Sequence, residues 1–298
     1  MANKSAIVRF IQTTAPVISR IHPPLAGRWL ARLFTTPTLH PTPDREQAWI
    51  ASARAGRIRF DATRTLPTLT WGNDDAPTVL LVHGWSGRGS QLGAWARPLV
   101  DAGYRVVAFD HPAHGRADGR ATAMPEFAEA VVRVAASVGQ LHGIVAHSLG
   151  AAATTAALAR GVRAERLVYV APPEDLPNYL ARAGRWLGFG RRASAMARRA
   201  IEFEYDMPFD QVRGRSLAPD RTTPLLIVHD EGDRDVPFDE GAHIARLWPG
   251  ARLVATQGLG HTRILRDASV IQTGVAFLVD GSAMPARTAS PTNASIAV

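Results

Sequence analysis

Apolar and polar positions alternate in blocks along most of the chain. Thr78-Val79-Leu80-Leu81-Val82 is continuously apolar, as expected of a parallel strand buried on both faces. Similar runs are Tyr104–Phe109, Ile144–Ala146, Arg166–Val170, Leu225–Val228 and Ala251–Ala255. Between them, helical periodicity predicts helices over Gln91–Ala102, Met124–Val138, Leu149–Arg160, about Asp239–Leu247 and about Ile264–Leu278. Gly56–Trp71 predicts a strand pair. Strand–helix alternation of this kind implies a doubly wound, mostly parallel α/β sheet.

Three stretches depart from the alternation. Residues 1–55 are helix-prone and punctuated by Pro16, Pro23, Pro24, Pro37, Pro41 and Pro43, and are expected to form an N-terminal helical arm on a main domain spanning 56–280. Residues 172–222 show no strand pattern and are expected to form a helical cap insertion. Residues 281–298 are small and polar, the pattern of a disordered tail.

In doubly wound sheets the ligand sits beyond the carboxyl ends of the strands, so chemistry is sought just after each run. Ser148 ends the strand Ile144–Ala146 and opens a small-residue helix in Ala146-His147-Ser148-Leu149-Gly150. A serine at such a turn is either a helix cap or an exposed nucleophile. After the strand at 225–228, Asp230, Asp233 and Asp235 compete to orient an imidazole; Asp233 is favoured, with Asp235 capping the next helix. His261, in Gly258-Leu259-Gly260-His261, follows the last strand on a glycine-flanked loop. His243 sits mid-helix and reads as structural. After Thr78–Val82 comes His83-Gly84-Trp85-Ser86-Gly87-Arg88-Gly89, a glycine-rich turn able to aim backbone N–H groups at an oxyanion. Trp85 and Leu149 are the expected donors. A phosphate cradle is a poor alternative, because no Gly-Lys-Ser/Thr follows.

These motifs together resemble the alpha/beta-hydrolase superfamily. The order Ser148, Asp233, His261 is that family's order, and Asp110-His111-Pro112-Ala113-His114-Gly115 is similar to its Asp-x-x-Gly-His-Gly turn. Ala146, Ala113 and Ala117 stand where glycine, glycine and serine are usual. The resemblance implies a serine hydrolase, EC 3.1.1.-, cleaving a carboxylic ester of a small or medium acyl substrate through an acyl-enzyme. Thioesterase, amidase, acyltransferase and membrane-associated lipase activities use the same triad, and a non-catalytic binding member of the fold is the further alternative. His83, Gly84, Ser86, His147 and Trp186 are expected to shape the substrate pocket, with His114 structural. Neither cofactor nor metal is implied.

Composition adds limits. The chain has 298 residues, no cysteine and a net charge of +8, so disulfides and thiolate metal sites are excluded. The positive charge is almost all arginine, with Lys4 the single lysine, and it is spread without a nucleic-acid-binding motif; no nucleic-acid partner is expected. The 172–222 insertion combines Tyr179, Trp186, Leu187, Phe189, Met196, Phe203, Tyr205, Met207 and Phe209 with Arg182, Arg185, Arg191, Arg192, Arg198 and Arg199. The aromatics suit an acyl pocket, and the arginines a solvated face. Arg9 interrupts the only candidate h-region, so no signal peptide and a cytoplasmic location are expected. The N-terminal arm is expected to pack on the body; a basic amphipathic segment touching membrane is the second reading.

Overall fold

The computed structural model describes residues 2–212 and 222–280; the tail at 281–298 and residues 213–221 of the insertion lie outside the described residues. Its centre is a sheet of eight strands: β1 (Arg54–Arg59), β2 (Thr65–Trp71), β3 (Thr78–Val82), β4 (Arg105–Phe109), β5 (Leu141–His147), β6 (Ala164–Val170), β7 (Leu225–Asp230) and β8 (Arg252–Thr256). The strand order is β1-β2-β4-β3-β5-β6-β7-β8. β1 and β2 pair antiparallel, as do β2 and β4, and every later pairing is parallel.

Successive side chains of a strand point to opposite faces, and the core divides accordingly. Leu80 and Val82 of β3 join an apolar layer with Phe127 and Trp248, whereas Val79 and Leu81 join the other layer with Trp95 and Phe277. The first layer is covered by α5 (Met124–Val138), α6 (Leu149–Ala159) and α9 (Phe238–Leu247); the second by α3 (Asp44–Ala51), α4 (Ala96–Asp101) and α10 (Ala268–Asp280).

Two expected helices are interrupted. The segment expected at Gln91–Ala102 is a 3-10 turn, Gly89–Trp95, followed by α4. Pro98 explains the break, since it has no N–H to bond back into the preceding turn. The final helix starts at Ala268 rather than Ile264, because Asp267 is extended and its Oδ1 accepts the N–H groups of Ser269 and Val270 at 3.0 and 3.1 Å.

The N-terminal segment forms α1 (Ala2–Ile21) and α2 (Pro23–Thr35), and the insertion forms α7 (Leu176–Trp186) and α8 (Arg191–Glu204). Pro16 lies inside α1 rather than ending it. These four helices share a third core of their own, built from Ile11, Ala15, Leu30, Leu180, Phe189 and Ile201 among others. α1 and α2 of the arm therefore pack on the cap, while α3 packs on the body. α2 and α8 approach closely: a Cβ on Gly27 would lie 2.6 Å from that of Met196. Trp29 meets Phe189 edge-on, with ring centroids 5.2 Å apart.

Candidate active site

β5 runs directly into α6 through Ser148, whose φ and ψ are 51° and −128°. That conformation is costly for a residue with a Cβ and is held by tertiary contacts on both sides. The Ser148 N–H donates to the Val170 carbonyl at 2.9 Å, and its own carbonyl accepts from Ala151 at 2.8 Å. Gly150 is required by the next step of the turn, since a Cβ there would lie 2.5 Å from the carbonyl oxygen of His83. Leu149 is the first residue of α6, so its N–H has no acceptor within the helix.

Asp233 and His261 meet in the loops after β7 and β8. His261 Nδ1 donates to Asp233 Oδ2 at 2.7 Å, which leaves the Nε2 lone pair of His261 available. Asp233 Oδ1 accepts the N–H groups of Asp235 and Val236 at 2.8 and 3.0 Å. Burial pushes the Asp233 carboxyl up, but the neighbouring His229 ring and the hydrogen bond from His261 outweigh it and hold the group well below its ordinary range. His229, not among the candidate residues above, is fully buried and donates through Nε2 to the Val236 carbonyl, 3.5 Å from Asp233 Oδ2. The histidine loop is tied to the elbow as well: His147 Nε2 donates to the His261 carbonyl at 3.0 Å.

The other two acids do different work. Asp230 is buried and accepts from Gly232 N–H, Thr256 Oγ1 and Leu259 N–H at 2.9–3.0 Å, bracing the loop that carries His261. Asp235 does not cap α9, whose N-cap is Pro237 without a side-chain bond; it lines the cavity instead. His243 lies 3.6 Å from Glu174 Oε2 on α9, away from the cavity. Asp233, Asp235 and His261 bring ligand atoms within 4.8 Å of one another, but a metal ion there would have to displace the Asp233–His261 bond.

The loop 83–89 presses against the nucleophile. A Cβ on Gly84 would lie 2.8 Å from Ser148 Cβ, which brings the following residue, Trp85, beside the elbow. His83 Nδ1 donates to the Gly84 carbonyl at 2.7 Å and its Nε2 accepts the His111 N–H at 3.0 Å. His114 Nε2 accepts the Ser86 N–H at 2.9 Å, and Asp110 Oδ1 accepts the Gly89 N–H at 2.7 Å. From the arm side, buried Glu46 takes a bidentate pair from Arg88 at 2.7 and 2.9 Å and a third bond from Ser90 Oγ at 2.8 Å. Glu46→Ala would strand Arg88, and is expected to cost about 3–5 kcal/mol in a urea unfolding experiment. A loss under about 1 kcal/mol would mean the loop does not rely on this pair.

Ser148, His261, Trp85, Ser86, His147 and Leu149 line one cavity of about 420 Å³. This size lies within the usual range for small-molecule sites. Its far wall is apolar: Leu30, Leu33 and Phe34 come from α2, and Tyr179, Leu187 and Tyr205 from the insertion. The expectation for three pocket residues is corrected. His83 is fully buried behind the loop, and Gly84 contacts Ser148 without lining the cavity. Trp186 is 62% exposed at the end of α7, outside the cavity. In the insertion, Phe189 packs in the third core, while Met196 and Phe203 are exposed.

The family model described as "Alpha/beta hydrolase family" matches residues 79–273, about two thirds of the chain. The chain belongs to the alpha/beta hydrolase family. The bifunctional esterase/perhydrolase DCH of Acinetobacter calcoaceticus is 26% identical over 252 residues, covering 67% of this chain and 91% of that one. Among solved structures, Est1E of Butyrivibrio proteoclasticus, with ferulic acid bound, is similar at a TM-score of 0.60 and 18% identity, covering 76% of this chain and 96% of its own. A membrane phospholipase A described as a bacterial virulence factor is similar at a TM-score of 0.60 and 20% identity, covering 93% and 98%.

The departures of this alpha/beta hydrolase from its family's motifs now have locations. Ala146 is fully buried in β5, opposite Val82 and Tyr169, where one extra methyl is absorbed by the core. Ala113 has φ 62°, a left-handed conformation that favours glycine, so alanine carries a strain of about 1–2 kcal/mol there. Among the described residues, no helix is long and apolar enough to cross a membrane.

Proposed function

We propose that this protein is a serine esterase that cleaves a carboxylic ester of a small or medium acyl substrate through an acyl-enzyme on Ser148. The observation that carries this reading is the shared cavity: Ser148 on its elbow and His261, with Nδ1–H held by Asp233, open onto one apolar chamber. Ser148 Oγ attacks the ester carbonyl carbon while His261 Nε2 takes its proton. Asp233 keeps the imidazole in that tautomer and stabilises the imidazolium. The N–H groups of Leu149 and Trp85 donate to the oxyanion. Collapse breaks the bond to the alcohol oxygen, which receives the proton from His261. Water, losing its proton to the same imidazole, then attacks the acyl carbon; the bond to Ser148 Oγ breaks, His261 returns the proton to Oγ, and the acid leaves. The reading assigns no cofactor, no metal and no nucleic-acid partner. The esterase/perhydrolase relative supports it.

A panel of p-nitrophenyl esters of graded chain length tests the proposal. Ester turnover is expected, and turnover confined to thioesters or amides on the same triad would overturn the ester assignment. The arm supplies part of the acyl wall through Leu30, Leu33 and Phe34, so it should act on chain-length preference. Leu33→Trp narrows the chamber and is expected to lower kcat/KM for an octanoyl ester, relative to the acetyl ester, by about tenfold or more. An unchanged ratio would show that α2 does not touch the acyl chain.

A further inference from the structure

α1 has three sides. Ile11 and Ala15 are buried in the third core. Ile7, Phe10, Val17 and Ile21 are 57, 63, 55 and 78% exposed. At 100° per residue these four fall within an arc of about 80°, so they form one stripe along the helix. At the start of α2, Leu25 is 49% exposed as well. Arg9 and Arg20, both exposed, border the stripe on the solvent side. Isolated surface apolar residues are ordinary, but four large ones on one face of a helix, interrupted only by Thr14, mark an interaction surface.

The charge around the stripe identifies the occupant. Residues 1–43 contain Lys4, Arg9, Arg20, Arg28 and Arg32 and not one aspartate or glutamate. An apolar face flanked by cations alone suits the boundary between anionic lipid headgroups and acyl chains. A second copy fits less well, because pairing two α1 stripes would bring two arginine borders together with no acid between them. We propose that α1 and the start of α2 lie in the surface of an anionic membrane, with Ile7, Phe10, Val17, Ile21 and Leu25 inserted and the arginines on the headgroups. The inference stands apart from the esterase reading, since binding is measured without turnover.

The test is co-sedimentation of the full chain with phosphatidylglycerol-containing vesicles and with phosphatidylcholine vesicles. Phe10→Glu/Ile21→Glu and Arg20→Gln/Arg28→Gln are compared with wild type. Both variants sit on the outer surface, outside the cavity, and an unchanged far-UV circular dichroism spectrum and thermal melt report that the fold is intact. The expected result is binding of wild type to the anionic vesicles, weakened by salt. Binding should fall at least tenfold in the Phe10/Ile21 variant, and about fivefold for each arginine removed. Wild type left in the supernatant with both vesicles would overturn the proposal. So would equal binding to both compositions, or a Phe10/Ile21 variant that binds as wild type. A dimer in light scattering without vesicles that this variant dissociates would also overturn it, and would assign the stripe to a second copy.

Discussion

Ser148→Ala is expected to lower kcat on a carboxylic ester by about a million-fold, with the fold intact. This corresponds to about 8 kcal/mol of lost transition-state stabilisation. The size follows from the site's economy of groups. The cavity wall beyond the elbow is mostly apolar, and His261 is the lining imidazole whose Nδ1 is held by a carboxylate. Without Ser148 Oγ, its Nε2 has no nucleophile to activate except water. Asp233→Asn should cost about ten-thousand-fold, because an amide NH2 facing Nδ1 favours the wrong tautomer. The double variant should be no slower than Ser148→Ala alone, since the groups act as one unit. Additive losses in kcat measured with a p-nitrophenyl ester would contradict the assignment.

The second large effect is on stability. His83, His111 and His147 are fully or almost fully buried, and His114 is buried with them. Burial lowers all four: His83 to about 4, His114 to about 3, His111 and His147 well below the ordinary value of 6.5. His111 lies flat on Phe127 at 3.9 Å, and neither of its ring nitrogens has a partner among the described residues. The sign follows from proton counting. Between 6.5 and the lowered values, the unfolded chain binds protons that the native state refuses. Stability is therefore complete above about pH 6.5 and falls as the pH drops towards 4 and 3.

Each group contributes at most about 1.4 kcal/mol per pH unit, so four contribute at most about 5.5 kcal/mol per pH unit. Asp110, raised chiefly by burial, opposes this as a single carboxyl. A domain stability of about 5–15 kcal/mol would be exhausted near pH 4. Urea unfolding at pH 7.5, 6, 5 and 4.5 should show this fall, and His111→Leu should flatten it by one proton. A constant unfolding free energy between pH 7 and 5 would contradict the burial of these histidines as neutral groups.

The parts of the fold legible in the sequence were those with a local signature. β3 is buried at every position, with four apolar residues after Thr78, because both faces are covered, and Met124–Val138 is a helix with Pro125 at its start. Ser148 and His261 each follow a strand, and small or glycine neighbours mark the turns. Other features had no local mark. Glu46 and Arg88 are 42 residues apart, and no periodicity announces their pairing. The buried faces of α1 and α2 show that they pack, but not that their partner is the insertion. Trp186 carries an apolar signal that is blind to direction, and it points out of the cavity. His229 falls just after the strand expected at Leu225–Val228 and lies within β7; its place beside Asp233 depends on the turn that returns Val236 to it.

A covalent acyl-enzyme on Ser148 requires a serine that reacts with a fluorophosphonate, read by intact mass and peptide mapping. A single adduct is expected on the peptide containing Ser148, absent in Ser148→Ala and strongly slowed in Asp233→Asn. A folded protein that hydrolyses esters yet carries no adduct at Ser148, or carries it on another serine, would contradict it.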